Sequence, residues 1–414
     1  MTHTEALKHR ALLGHRLKAV RLQRRMSLRA VAEQAGLSAG HLSRVERGER
    51  TLDSLTALES LARVLGTSPE ALSAAPGHGA GPVISKGRTD RVLPLLGAMR
   101  AAGDMLDLPP DESLPTRPVA VLGTEVRRVN KLAQAARYLP MCRMLPPLLA
   151  ELHAAAHTAA EADRPVVWGL LAEAVRCAHS VGIAVGRNEM SVAALGWMDR
   201  ATEHAGDRAP ALRAVREYLR VTAYLRVRDF DACQRLNRSG FAHLDGTDDT
   251  TPDALVARGQ LHLGASIISA YTGDQDGIRD HLAEAAHLSE LTGERTERLW
   301  VGFGPTNVRV HRVMAAATAG DHARAVAAAE GITFPGEWLP TRVGHHYLDL
   351  ARAYRWLAKP EKALDALRVA RQVAPGQAQR HPLARDTTDG LMRSARRPSA
   401  ALVDYAEWLG IGDD

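Results

Sequence analysis

From Ser27 to Arg47 the chain reads SLRAVAEQAGLSAGHLSRVER, and its apolar positions fall on two short stripes. Leu28, Val31, Ala32 and Ala35 recur at helical spacing behind Ser27, whose hydroxyl suits a helix start. Gly36 then occupies the place of a left-handed turn residue. Ser38 restarts a helix, with Leu42 and Val45 on its apolar side. The pattern predicts two short helices crossing at a tight turn, with small Ala32 allowing a close approach and Leu42 filling the crossing. From Thr124 onward a coarser pattern repeats: an apolar helix, a polar turn, then an Ala-rich amphipathic helix. The turns fall near Leu139-Pro140, Gly186-Arg187, Arg228-Asp229, Gly273-Asp274, Gly320-Asp321, Lys359-Pro360 and Arg396-Arg397, roughly 40 residues apart. Helix pairs that bury their apolar faces only against neighbouring pairs form an α-solenoid. No strand-like alternation competes with this reading, and an irregular helical bundle is the main rival. The predicted class is all-α.

Between these two patterns, residues 74–88 (AAPGHGAGPVISKGR) carry Gly or Pro at short intervals and no helical period, as a linker does. Residues 89–106 read as helical, and Leu108 to Pro118 as a proline-rich break. The expected organisation is an N-terminal unit at 1–75, a connecting segment at 76–123 and a repeat unit at 124–414.

Charge separates the halves. Residues 1–75 hold 12 Lys and Arg against 7 Asp and Glu, so they carry +5 of the chain's +6. A small basic unit on a near-neutral body suits contact with phosphates. Aromatic residues make up only 4% of the chain, which favours helices packed closely through small side chains.

The block from Leu13 to Leu72 closely resembles the Cro/repressor-like (XRE) helix-turn-helix family. The resemblance rests on the 27–47 segment, the run HLSRVERGER at 41–50, a helix from Leu52 to Leu65, and a fifth helix opened by Ser68-Pro69. It implies a five-helix DNA-binding domain whose second short helix enters the major groove. By position, the resemblance places Ser38, Ala39, Gly40 and Arg44 at base edges and Ser27, Arg29, Ser43 and Arg47 at phosphates. It makes Arg21 and Glu46 a structural ion pair. Ala39 and Gly40 stand where family members often carry long polar side chains, which leaves Arg44 as the main candidate for direct readout of a guanine. The second half is similar to tetratricopeptide-like repeats, although its unit is longer than the 34-residue ideal. Together the halves resemble actinobacterial regulators that join an XRE-type reader to such a sensor. In related peptide-sensing regulators the concave face binds a signalling peptide.

Within the repeats, WVGFGPTNVRVHRV at 300–313 is the most distinctive stretch. Asn307 and His311 share one helical face there. Tyr224, Tyr271, His346 and Tyr347 are further candidates for ligand contact on the first helices of their pairs. The bland alternative for all six is core packing. His153 and His157 have a metal-capable spacing but no evident third ligand, and no metal or cofactor is expected. Cys142, Cys177 and Cys233 are widely spaced and odd in number, which suits reduced, buried thiols. No phosphate-cradling loop, zinc-protease motif or nucleophile elbow is present; Gly77-His78-Gly79-Ala80-Gly81 lacks the residues that would make it one. No secretory signal or membrane span is read from the sequence.

The combined expectation is a cytoplasmic, nucleoid-associated, non-enzymatic transcription regulator. Its partners would be a double-stranded DNA operator, a second copy of the chain as a homodimer, and a peptide or small-molecule effector. The rival expectation is a helical-repeat scaffold for a partner protein, with DNA binding secondary.

Overall fold

The structure is a computed structural model describing residues 13–14, 17–18, 20–22, 24, 26–50, 52, 55–65, 72, 91–111, 113–246, 250–336 and 338–411. Among them, regular structure is helical apart from one isolated bridge between Arg295 and Phe303. The linker 74–88 and the Ser68-Pro69 helix start lie outside the described residues.

In the N-terminal unit, α1 (Leu28–Gln34), α2 (Ala39–Glu46) and α3 (Leu55–Val64) follow one another. Val31, Ala32, Leu42, Val45, Leu61 and Leu65 close a small core with Leu17 and Val20 from the preceding turns. Trp356, from the far end of the chain, packs against that core.

The connecting helix α4 (Leu93–Asp104) is no passive link. Its Met99 is fully buried in the repeat core, and its Gly103 lies directly on the Trp197 ring. Helix pairs then succeed one another. They are α5 (Val119–Gln134) with α6 (Tyr138–Thr158), α7 (Arg164–Val185) with α8 (Asn188–Glu203), and α9 (Ala209–Val227) with α10 (Phe230–Ala242). Next come α11 (Pro252–Thr272) with α12 (Gln275–Thr292), α13 (Pro305–Thr318) with α14 (His322–Ala329), and α15 (Pro340–Trp356) with α16 (Pro360–Val373). Short α17 (Pro375–Ala378), α18 (Pro382–Ser394) and α19 (Ala400–Leu409) finish the chain. This is an all-α fold, a small helical domain followed by a helical-repeat array.

A common chemistry makes several joints within pairs. A left-handed residue ends the first helix, and an aspartate caps the second. Arg228 (φ 60°), Gly273 (φ 71°) and Gly320 (φ 83°) supply the turn. The carboxylates of Asp229, Asp274 and Asp321 then accept from the N–H of Ala232 (2.8 Å), Gly277 (3.0 Å) and Arg324 (3.0 Å). Replacing Asp274 with Ala leaves one first-turn N–H of α12 without its acceptor, an expected loss of about 1 kcal/mol. Urea unfolding of D274A should show a lower midpoint and an unchanged slope.

The first joint differs from the sequence expectation. The turn lies at 135–137, with Ala136 at φ 55°, while Leu139 and Pro140 sit in the first turn of α6. Proline near a helix start costs little, because the N–H it lacks would have had no intrahelical partner. The repeat array likewise begins at Val119, directly after Pro118.

The array curls back on itself. Gln134 Nε2 donates to the Thr296 carbonyl at 3.1 Å, and Lys131 pairs with Glu297 at 2.8 Å. Gly376 rests against the backbone of Ala136, and the Arg380 guanidinium lies 5.9 Å from the Tyr138 ring centre. The first pair therefore touches both the loop before α13 and the segment after α16. Helix α7 is long and apolar enough by length and composition to cross a membrane, but 72% of its most apolar stretch is buried among its neighbours.

Candidate functional site

Two serines set the geometry of the N-terminal unit. Ser27 Oγ accepts from the Ala30 N–H and Ser38 Oγ from the His41 N–H, both at 3.1 Å, so each begins its helix. Between them Gly36 is left-handed at φ 70°, and its N–H and that of Leu37 bond back to the carbonyls of Glu33 and Ala32. That pattern is a Schellman end, and it sets the direction in which α2 departs.

One buried ion pair ties the base of the unit to the end of α2. Arg21 Nε donates to Glu46 Oε1 at 2.7 Å, and a second guanidinium nitrogen donates to Oε2 at 2.8 Å. A third reaches the Met26 carbonyl at 3.1 Å. The Glu46 hydrogen bonds raise the Arg21 pKa against the opposing effect of burial. A fork-to-fork pair fixes orientation as well as distance.

Gly14, which the sequence pattern did not single out, completes this arrangement. A Cβ built there would stand 2.1 Å from the Val45 carbonyl oxygen, so only glycine lets the preceding turn pass the end of α2. Nothing in hydrophobic periodicity marks such a close approach.

The opposite face of α2 is open. Ser38, Gly40 and Arg44 are exposed, and Ala39, His41 and Ser43 are half-buried. Arg44 donates no hydrogen bond among the described residues. Arg29 is exposed at the start of α1. Arg47 is held differently: its guanidinium bonds both oxygens of Glu49 at 2.7 and 2.9 Å and Ser43 Oγ at 2.9 Å. Hydrogen bonding to Arg47 lowers the Glu49 pKa. The shape is a basic helix presented outward on a rigid base.

Residues 12–75 match the helix-turn-helix domain family. No curated protein matches the chain. Among solved structures, the apo form of the competence regulator ComR from Streptococcus vestibularis is 13% identical. The match covers 74% of this chain and 99% of that one, with a TM-score of 0.24.

Behind the helix-turn-helix domain, the repeats hold the other sequence candidates in several settings. His346 is buried against the Phe334 ring at 5.5 Å, and Tyr347 packs on the same cluster with Trp338 and Val343. That is the environment of a satellite core. Tyr224 packs on Val221, Cys233 and Ile268. Tyr271 stacks on Phe230 at 5.7 Å and feels the charges of Arg352, Asp349 and Arg228. Asn307 and His311 are both buried, and His311 Nδ1 lies 2.9 Å from the Asn307 carbonyl. Burial drives the His311 pKa down to about 3, so its ring is neutral. Among the described residues, neither polar atom of the Asn307 amide has a hydrogen-bond partner.

The sequence reading missed a buried polar network that joins distant pairs. Glu173 accepts from Arg208 at 2.6 Å and from Trp300 Nε1 at 2.8 Å. Arg208 also donates to Asp253 at 3.0 Å, and Asp253 pairs with Arg298. On the same helix, Arg176 donates to the Asn130 side chain. The three cysteines are buried. Burial pushes the Cys177 thiol up to about 11 and Cys233 to about 12, so neither forms a thiolate readily. Among the described residues no cluster of three or more His, Cys, Asp or Glu side chains is placed to hold a metal ion, and the His153 and His157 rings meet edge to face at 5.0 Å.

Proposed function

We propose that this protein is a sequence-specific DNA-binding transcription regulator. Its N-terminal domain reads a half-site with α2, and its helical repeats dimerise and receive a signal. The observation that carries the reading is the outward basic face of α2, held by the Arg21–Glu46 fork within a segment that matches the helix-turn-helix domain family. Arg44 reads a base edge with Ser38, Ala39 and Gly40 beside it, while Arg29, Arg47 and the hydroxyls of Ser27 and Ser43 position the backbone. Ala39 and Gly40 let the start of the helix approach the groove closely. One short helix reads few base pairs, so a twofold dimer on two half-sites supplies the remaining specificity. A signal received by the repeats would shift affinity by changing half-site spacing. An effector would lie on the inner side of the array near Asn307, His311 and Tyr271. The site of action is the nucleoid.

Footprinting across the genome in cells that carry a tagged chain tests this reading. Discrete protected sites with twofold-related halves support it. Recovery of one stoichiometric protein partner with no protected DNA would replace it with a scaffold role.

The Arg47–Glu49 pair gives a second expected result. Phosphate must compete with Glu49 for the Arg47 guanidinium, and the carboxylate itself repels the backbone. Glu49→Ala should therefore raise affinity for any DNA by roughly three- to tenfold at low salt. Fluorescence anisotropy on an unrelated duplex measures this. An unchanged affinity would mean that Arg47 does not meet the backbone.

A further inference from the structure

The segment between α12 and α13, residues 293–304, touches four helices other than the two it joins. Gln134 Nε2, at the end of α5, donates to its Thr296 carbonyl at 3.1 Å, and Lys131 of the same helix pairs with Glu297 at 2.8 Å. Trp300 Nε1 donates to Glu173 Oε2 on α7 at 2.8 Å, and Arg298 pairs with Asp253 on α11. The Val301 carbonyl accepts from Arg342 on α15 at 3.3 Å. The segment is a strap that ties the first helix pair to the second, fourth and sixth.

The strap's own backbone closes one bridge, from the Arg295 N–H to the Phe303 carbonyl at 2.8 Å, and one short turn, from the Trp300 N–H to the Glu297 carbonyl at 3.2 Å. Within that turn Leu299 (φ 51°) and Trp300 (φ 55°) are consecutive left-handed residues that carry side chains. Such a backbone is strained and persists only where its surroundings impose it. Both side chains are buried. Tethers from other helices therefore hold the strap in a shape that its own sequence disfavours.

The strongest tethers share one fixed partner. Arg208, just before α9, donates to Glu173 Oε1 at 2.6 Å and to Asp253 Oδ2 at 3.0 Å. The strap takes the other oxygen of each carboxylate, Oε2 through Trp300 and Oδ1 through Arg298. With the strap withdrawn, both carboxylates keep Arg208, and one oxygen of each turns to water. No buried charge is stranded, so the released form escapes the penalty of an unpaired ion. The Arg208 and Arg298 side chains are 37% and 41% exposed, so water reaches these pairs and salt weakens them. Glu294 anchors the base of the strap. It accepts from the Thr306 N–H at 2.7 Å and from Trp338 Nε1 at 3.3 Å, which leaves residues 296–301 as the part free to move.

We propose that residues 296–301 are a conformational latch that sets the closure of the repeat array and, through it, the binding of DNA. Closed, the latch fixes the first pair to the middle of the array. Released, it lets Leu299 and Trp300 relax and frees the end of α5. The first pair still meets Gly376 and Arg380, so the array loosens without unrolling. The movement reaches the N-terminal side because Met99 of α4, the helix that leads into the array, shares one core with Leu122, Val126 and Leu145 of the first pair. An effector that binds the loosened array better than the closed one shifts the equilibrium and alters operator affinity. This inference rests on the reading of the N-terminal domain as a DNA reader.

The test is hydrogen–deuterium exchange of the full chain, with operator affinity measured on the same samples. Trp300→Phe keeps a ring and loses the N–H donor, and Arg298→Met loses the ion pair. In each, exchange should speed roughly tenfold across 294–302 and, in step, roughly threefold or more at 131–137, while α19 keeps its wild-type rate. Raising sodium chloride from about 0.1 to about 0.5 M should move the wild type the same way, a comparison that needs no substitution. Operator affinity of W300F should differ from wild type by roughly threefold or more. Faster exchange in the strap with 131–137 unchanged overturns the latch, as do wild-type rates throughout. Coupled exchange with unaltered operator affinity overturns its control of DNA binding. If footprinting of the wild type finds no protected DNA, the regulator reading fails, and the exchange rates still decide the latch.

Discussion

Replacing Arg21 with Met should cost about 3–5 kcal/mol of stability in the N-terminal domain, because it strands a buried carboxylate. Glu46 is 4% exposed, and two of its hydrogen bonds come from the Arg21 guanidinium at 2.7 and 2.8 Å. The loss falls on a core that is itself small. Val31, Ala32, Leu42, Val45, Leu61 and Leu65 hold most of it, so it has little reserve. DNA affinity should fall with the fraction folded, and the repeats should unfold at their own unchanged midpoint. The double replacement R21M/E46L removes both charges and should recover much of the stability, since two apolar side chains can fill the space without desolvated ions. A scan by circular dichroism on wild type, single and double variants measures the coupling. If R21M and R21M/E46L were equally unstable, the pair would act through shape and not through charge.

Arg44→Ala should lower affinity for the operator by roughly 10- to 100-fold, about 1–3 kcal/mol, while leaving affinity for random DNA nearly unchanged. The reason lies in what surrounds it. Ser38 is occupied as the cap of its own helix, with Oγ accepting from the His41 N–H at 3.1 Å. Gly40 offers no side chain, and Ala39 offers only a methyl. Arg47 is turned toward Glu49 and Ser43. Arg44 remains as an exposed fork on the outer face of α2, able to meet the two acceptors of a guanine together. Affinities for the operator, for the operator changed at one base pair, and for random duplex separate the roles. A base reader loses its preference at one position only. An equal loss on all three duplexes would make Arg44 a phosphate contact.

Much of this was legible in the chain because the chemistry is local. Ser27, Gly36 and Ser38 stand within a few residues of the groups they bond, so cap, turn and cap can be read in order. The joints at Arg228-Asp229, Gly273-Asp274 and Gly320-Asp321 are similarly explicit, since turn and cap residues are adjacent. Where the left-handed residue is alanine, as at Ala136 and Ala358, no such signal exists. At Ala136 the neighbouring Pro140 misleads, whereas Pro360 correctly marks the start of α16 after Ala358. The closure of the array is not legible either. It brings Gln134 to Thr296 and Tyr138 to Arg380, pairs far apart in sequence and set by the accumulated bend of many helices. Asn307 and His311 could be singled out from their shared face. Their burial beside Arg342 could not.

The central claim is that the N-terminal domain reads a defined DNA sequence through α2. Selection of bound duplexes from a random-sequence library by the full chain, followed by sequencing, tests it most directly. One enriched motif with two related halves is expected, with the loss of a single base preference in each half for R44A. Recovery of duplexes with no common sequence from the folded chain would contradict it.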